Sequence, residues 1–426
     1  MTGSGRIEAE YLIETPLEPA KAAAILAGEQ SAGTFVRVAG ETDELRARAA
    51  AEVLSLTEET PADRPALSSS YLERIAAPGP WRRARIRVAF PPDNMRANLP
   101  TLAATLAGNL FDLGELTAVR LERVALPAAV RAAFDFPVDG VAGTRRRLGI
   151  AGRPVFGTII KPNVGLSSEQ IAALVADLCE AGVDFIKDDE VCADPLYAPI
   201  ETRVPAVMDV VRRHRDCTGR AVMVAFNISD EVDAMRRHAD LVEREGGDCV
   251  MASLNWCGLS AVQALRRSTP LALHGHRNGF GAFSRHPGLG LGVEAYQSLY
   301  RLAGVDHLHV HGIGGKFSDP PAEVAAGARH CLTPLAGSER EDRVVPVFSS
   351  GQWAGTLERT WRACGSADFM FLAGGGILAH PAGPAAGVAS LRQAWEAIAA
   401  GRSLADHAAA EPALRQAIDL FGPKLG

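Results

Sequence analysis

From about residue 154 onward the chain alternates short apolar runs with longer segments of helical spacing. The runs Pro154–Ile160, Asp184–Lys187, Ala221–Phe226, Cys249–Leu254, Pro270–His274, Asp306–Val310, Val344–Phe348 and Asp368–Leu372 each end in polar residues or glycine and predict β-strands. Helical patterns follow them, as at Glu169–Ala181, Glu231–Arg244 and Leu391–Ala400. Eight consecutive βα units predict the α/β class and a TIM (β/α)8 barrel, a fold of typically about 250 residues. An open doubly wound sheet is the structural alternative, but it seldom needs eight units in a row. No GxGxxG follows the first run, so dinucleotide binding has no support.

The first 140 residues have a different rhythm. Ile7–Ile13, Thr34–Val38, Arg85–Phe90 and Ala118–Ala125 predict strands, and Pro19–Ala27 and Met95–Leu106 predict helices. This is the pattern of a separate α+β, ferredoxin-like layer over residues 1–140. Phe136-Pro-Val-Asp-Gly140 reads as a linker, residues 141–400 as the barrel, and 401–426 as a helical tail.

Composition narrows the class. Of 426 residues, 47% are hydrophobic and 22% charged, which suits a large core. A formal charge of −6 gives no basic face for nucleic acid, and no apolar run is long enough to cross a membrane. The N-terminus lacks the apolar core of a signal peptide. Seven scattered cysteines without a CxxC pair predict reduced thiols and a cytoplasmic location. Among 44 basic residues the lysines are few: Lys21, Lys161, Lys187, Lys316 and Lys424. A GC-rich genome explains the bias, yet a lysine kept against it is a candidate for chemistry that needs an amine, which arginine cannot supply.

Catalytic groups of a barrel gather at the C-terminal ends of its strands. Those ends carry Lys161, Lys187-Asp188-Asp189-Glu190, Asn227, Asn255, His274, His276-Arg277, His307, His309, His311, Lys316, Ser349-Ser350-Gly351 and Gly374-Gly375-Gly376. Alternation along a strand puts Lys187 and Asp189 on one side, with Glu190 at the turn beside them. Two carboxylates plus a third oxygen suit Mg²⁺, although an ion pair capping a loop would use the same residues. His307, His309 and His311 alternate, as do His274 and His276, and five histidines at two neighbouring strand ends point to proton or phosphate handling. Arg277 offers a forked phosphate contact. Gly312-Ile-Gly-Gly-Lys316 can carry an ammonium over a ligand, and Gly374–Gly376 is either a phosphate cradle or a tight turn.

Taken together, Gly157-Thr-Ile-Ile-Lys-Pro-Asn-Val-Gly-Leu-Ser167, Asp184-Phe-Ile-Lys-Asp-Asp-Glu190, His276-Arg277, the Lys316 loop and Gly374–Gly376 resemble the RuBisCO large-chain superfamily in order and spacing. Glu29-Gln-Ser-Ala-Gly-Thr-Phe35 and Gly108-Asn109-Leu-Phe resemble that family's N-terminal contributions to the active site. The resemblance implies a Mg²⁺ enzyme in which CO₂ carbamylates Lys187 and the cation binds Lys187, Asp189 and Glu190. It implies Lys161 as the acid–base group, His276 as a proton-transfer aid and Lys316 as a closing cation. Arg277, His309, Ser349, Gly351, Gly374 and Gly375 would hold the phosphorylated substrate. Glu29, Thr34 and Asn109 would complete the site of a partner chain in a homodimer.

The departures separate this chain from carboxylases of ribulose bisphosphate. Asn163 stands where those have a second lysine, Phe280 where they have a further histidine, and Phe35 replaces a tryptophan. Phe-Ser-Asp rather than Leu-Glu-Gly follows Lys316. The chain is more similar to the RuBisCO-like proteins, and His274-Gly-His-Arg-Asn-Gly and Phe348-Ser-Ser-Gly-Gln-Trp353 are most similar to the branch acting on 3-oxo-isoapionate 4-phosphate. That resemblance implies decarboxylation of a phosphorylated sugar-acid through an enediolate. The alternatives are a transcarboxylase/hydrolase on the same substrate, an enolase or isomerase of methylthio-sugar phosphates, and a non-catalytic phosphate-ligand sensor.

Overall fold

The computed structural model describes residues 5–33, 38–336 and 340–425. In chain order the strands are β1 (Ile7–Thr15), β2 (Glu52–Ala62), β3 (Trp81–Phe90), β4 (Ala118–Ala125), β5 (Val155–Ile159), β6 (Phe185–Lys187), β7 (Met223–Asn227), β8 (Cys249–Ser253), β9 (Ala272–His276), β10 (Leu289–Leu291), β11 (His307–His309), β12 (Val345–Phe348) and β13 (Met370–Leu372). They divide between two compact units. The first takes residues 1–135, 279–303 and 334–340, the second the remainder.

The first unit is built on a sheet of order β10-β4-β1-β3-β2. Central β1 is antiparallel to both β3 and β4, while β2 pairs antiparallel with β3. With helices at Pro19–Glu29 and Leu99–Ala107, this is the βαββαβ order of a ferredoxin-like layer. Strand β1 alternates Ile7, Ala9, Tyr11 and Ile13 into the core, which is why one face is apolar and the other carries Glu8 and Glu10. Tyr11 resolves its buried polar end by donating to Leu106 O at 2.9 Å. Strand β2 was not foreseen. It is a mostly exposed edge, rich in glutamate, interrupted by two register shifts, and held by its pairing to β3 rather than by an apolar face. The three-residue β10, which adds parallel to β4, is too short to give a period. Of the expected Thr34–Val38 strand, residues 34–37 lie outside the described residues, and Val38 belongs to no strand.

The second unit contains a closed barrel in the order β11-β12-β13-β5-β6-β7-β8-β9, parallel throughout. Strands covered on both sides read as continuous apolar runs, which made these segments recognisable. Val155, Phe185, Met223, Ala225, Met251, Ala272, Val347, Met370 and Leu372 form one core cluster, closed below by Val141, Leu148 and Ile150. Each large side chain removed from water here contributes about 1.5–3 kcal/mol before entropy is charged. The helix that delivers β6 is bounded by explicit signals: Ser167 and Gln170 form a capping box, and Gly182 ends the helix in the left-handed region at φ 85°. The next residues run into β6 and carry Lys187 to the strand end.

Candidate active site at the barrel mouth

Lys187 is the last residue of β6 and is 1% exposed. Its Nζ donates to Asp188 O at 2.6 Å. Burial pulls the amine down from its ordinary value to about 8, against the opposing pull of Glu190, Asp189 and Asp188. Asp189 turns toward Lys161, whose Nζ donates to Asp189 Oδ2 at 2.7 Å and to Asn163 Oδ1 at 2.7 Å. The Asn227 amide nitrogen donates to Asp189 O at 3.0 Å and fixes the turn after β6. Glu190 lies 3.6 Å from His276 Nε2. Burial first, and Lys187 second, push His276 down to about 3, so the ring is neutral and that contact is not an ion pair. Lys161, Lys187, Asp189, Glu190 and His276 therefore form one cluster, as their strand-end positions predicted.

Lys187, Asp189 and Glu190 are the candidate cation ligands. Among the described residues no group of three or more His, Cys, Asp or Glu side chains is arranged to hold a metal. Two carboxylates need a further oxygen, and the Lys187 amine is suited to provide one after carbamylation: at pKa about 8, about one amine in ten is neutral and nucleophilic at pH 7. The donor set fits a hard cation on that condition.

A second group lies across the barrel. His309 Nδ1 is 3.1 Å from Ser349 Oγ, and the rings of His276 and His309 are 4.3 Å apart. Arg277 is 3% exposed and contacts Asp319 at 3.2 Å. His311 does not continue the β11 alternation. It lies beyond the strand at φ 66°, and its Nδ1 is hydrogen-bonded to Asp319. The idea of three histidines on one strand face is corrected accordingly: His307 and His309 are on the strand, and His311 belongs to the following loop. Burial lowers His311, whereas for Asp319 burial is outweighed by His311 and Arg277, which hold its carboxyl below the usual range.

The glycines have distinct duties. A Cβ at Gly312 would meet Gln352 Nε2 at 1.9 Å and Ser350 O at 2.7 Å, so this position packs the Lys316 loop against the turn after β12. Ser350 and Gly351 both have positive φ, 73° and 67°, which aims that turn. Gly376 is confined by Gln352 O at 2.5 Å, whereas Gly375 faces open space. Gly374 and Gly375 open the short helix Gly374–Leu378. Lys316 is exposed, with Nζ 5.2 Å from the Phe317 ring centroid.

In the first unit, Glu29 ends its helix and Asn109 begins a 3-10 turn, both exposed. Gln30, with its amide oriented to satisfy both ends, accepts from the Asn109 N–H at 3.2 Å and donates to Ala104 O at 3.0 Å. Thr34 lies outside the described residues. Phe280 is a core residue, its ring 4.4 Å from that of Tyr296.

Sequence reading missed Arg203. It is wholly buried on the helix Ile200–Thr218, contacts Asp188 at 3.3 Å and donates to Ala198 O at 2.6 Å, and it also bonds Ala193 O. The signal was present: Arg203 interrupts the stripe Ile200, Val204, Val207, Met208 and Val211. Asp319 was noticed only as a departure from a loop motif.

The domain pattern of the ribulose bisphosphate carboxylase large chain, catalytic domain, matches residues 140–421, and that of its N-terminal domain matches residues 7–130. The chain belongs to the RuBisCO large-chain family. Within it, this RuBisCO-like chain is 48% identical over 418 residues to a 3-oxo-isoapionate-4-phosphate transcarboxylase/hydrolase from Xanthobacter autotrophicus, covering 98% of this chain and 100% of that one. It is 41% identical to a 3-oxo-isoapionate-4-phosphate decarboxylase from Rhizobium rhizogenes, with 98% of each covered. A crystal structure of a rubisco-like protein from Burkholderia fungorum superposes with a TM-score of 0.93 at 59% identity, covering 98% of this chain and 100% of that one. The RuBisCO-like chain is thus an enzyme of this family and not a carboxylase of ribulose bisphosphate. No helix among the described residues is long and apolar enough to cross a membrane.

Proposed function

We propose that the chain breaks the bond to the carboxyl carbon of a phosphorylated 3-oxo sugar-acid, with 3-oxo-isoapionate 4-phosphate as substrate and decarboxylation as the reaction. The observation that carries this reading is the cluster of a buried, easily deprotonated Lys187 beside Asp189, Glu190 and Lys161. It is supported by relatives of that named substrate at 48% and 41% identity along nearly the whole chain.

In such an acid the carbonyl is placed to receive the electron pair left when the C–C bond breaks, so CO₂ leaves and an enediolate remains. Carbamylated Lys187, Asp189 and Glu190 would hold Mg²⁺, which would supply positive charge for the substrate's oxygens. Lys161, already donating a proton toward Asp189, is the group positioned to return one to the enediolate carbon. Neutral His276 relays a proton, taking one at one ring nitrogen as it gives one up from the other, so that no net charge stays on the ring. Arg277, with the backbone N–H groups of Gly351, Gly374 and Gly375, orients the phosphorylated substrate, His309 acts on it through Ser349, and Lys316 closes over it. Glu29, Thr34 and Asn109 act on the neighbouring site of a homodimer. The enzyme works in the cytoplasm.

A second reading, transcarboxylation and hydrolysis of the same acid, is favoured by the higher identity to the relative so named. Substrate carrying ¹³C in its carboxyl group separates the two when followed by NMR. Release of the label as CO₂ supports decarboxylation, and retention in a carboxylate product supports the second reading. No turnover of this acid, with turnover of a methylthio-sugar phosphate or with ligand binding alone, overturns both.

A further inference from the structure

Three histidines run through the inside of the barrel from its foot to its mouth. At the foot, on the helix Gly140–Leu148, Thr144 Oγ donates to Gly140 O at 2.6 Å and lies 2.9 Å from His307 Nε2. His307 Nδ1 is 3.3 Å from His274 Nδ1, and His274 Nε2 is 2.8 Å from His309 Nε2. At the mouth, His309 Nδ1 is 3.1 Å from Ser349 Oγ. His274 and His307 are fully buried and His309 nearly so. Phe185 stacks on His274 with centroids 5.2 Å apart and meets His307 edge-on at 6.0 Å, so these rings cannot turn over without repacking the core.

The protons in such a chain are not independent. Burial holds all three rings neutral, His307 down to about 3 and His274 and His309 well below their usual value. A neutral imidazole has one N–H and one bare nitrogen, and every contact needs one donor and one acceptor. The Thr144 proton is committed to Gly140 O, so His307 Nε2 must be the donor to Thr144, leaving His307 Nδ1 bare. His274 must then donate from Nδ1 and accept at Nε2. His309 must donate from Nε2 and accept at Nδ1, and Ser349 must donate to it.

We propose that Thr144 is a positioning residue that, through His307, His274 and His309, fixes the direction of the Ser349 hydroxyl. With its proton turned into the barrel, the Ser349 oxygen meets the mouth as an acceptor, suited to a substrate hydroxyl rather than to a fully ionised phosphate oxygen. This sharpens the general substrate-holding role expected of Ser349. The proton map does not depend on which sugar-acid is turned over, and only its kinetic consequence rests on the proposed function.

Neutron diffraction from crystals exchanged into D₂O reads the map directly. The expected result for the wild-type protein is deuterium on His307 Nε2, His274 Nδ1 and His309 Nε2, with the Ser349 hydroxyl aimed at His309. Deuterium on the opposite nitrogen of any of these rings, or on both, overturns the proposal. Thr144→Ser keeps the hydroxyl and is expected to keep the pattern, whereas Thr144→Val removes the anchor and is expected to mix or reverse the tautomers along the whole chain. A wild-type pattern in Thr144→Val also overturns it, and if that variant does not fold, the wild-type and Thr144→Ser maps still decide. With the keto-acid phosphate as substrate, Thr144→Val is expected to raise KM more than it lowers kcat, and Thr144→Ser to leave both near their wild-type values. Absence of turnover in the wild-type protein removes the substrate assignment but leaves the proton map standing.

Discussion

Replacing Arg203 with methionine isolates the support beneath the proposed cation site. The guanidinium is completely buried, 3.3 Å from Asp188 and 2.6 Å from Ala198 O. Asp188 is itself buried, and desolvation raises its pKa even though Arg203 and the Asn227 N–H pull the other way. Methionine of similar length fills the space but leaves that carboxylate without its cation. Removing one partner of a buried pair costs about 3–5 kcal/mol. At about 2–4 °C per kcal/mol for a unit of this size, the melting temperature should fall on the order of 10 °C. Asp188→Asn in the same chain removes the stranded charge while keeping an acceptor for Asn227, so the double variant should regain much of the loss. Circular dichroism melts of wild type, both single variants and the double variant give the coupling directly. A loss below about 1 kcal/mol for Arg203→Met, or a double variant melting no higher than it, would show that the pair does not carry this load.

Lys187→Met should abolish turnover and its dependence on Mg²⁺ and bicarbonate, yet melt no lower than the cation-free wild type at pH 7, because the buried amine is held below its ordinary value at a cost in stability. The folded-state pKa of Lys187, about 8, lies below its unfolded value, so the unfolded chain binds more protons between the two. The cation-free protein should therefore gain stability as pH rises above 8, a gain that Lys187→Met lacks; equal slopes in urea unfolding across that range would refute it. His276 and His307, both down to about 3, act with the same sign at lower pH: stability is retained above the ordinary histidine range and lost as pH falls from there toward 3. His307→Asn should flatten that acid limb in unfolding titrations, and an unchanged limb would contradict burial as its cause. Asp319→Asn weakens the carboxylate that competes for Arg277 and His311, so inorganic phosphate should bind about 5-fold or more tightly by calorimetry, and weaker binding would count against a phosphate role for that pair.

The barrel was legible because its strands are buried on both faces, and runs such as Val155–Ile159 or Met223–Asn227 have no polar side to confuse the reading. The cluster of Lys161, Lys187, Asp189, Glu190 and His276 was legible because strand ends fall together in a closed barrel. What escaped has a common origin in long-range pairing. Strand β2 is glutamate-rich and exposed, and only its neighbour β3 makes it a strand. His311 obeys the two-residue spacing in sequence, but its left-handed backbone takes it off the strand. Arg203 and Thr144 reach Asp188 and His307 from helices; Arg203 shows in the sequence only as a break in an apolar stripe, which does not name its partner, and nothing in spacing or residue type singles out Thr144. The direction of the histidine chain follows from a single hydroxyl on Gly140–Leu148, which no periodicity singles out.

The ferredoxin-like unit is assembled from three separated stretches of chain, the second of which brings β10 and the helix Val293–Leu302 from residues 279–303. A ribosome therefore releases most of the barrel before the first sheet can close its β4 edge. An isolated fragment of residues 1–135 would emerge with that edge bare and prone to pair with another chain, so the two units cannot be obtained as independent proteins by cutting at one linker.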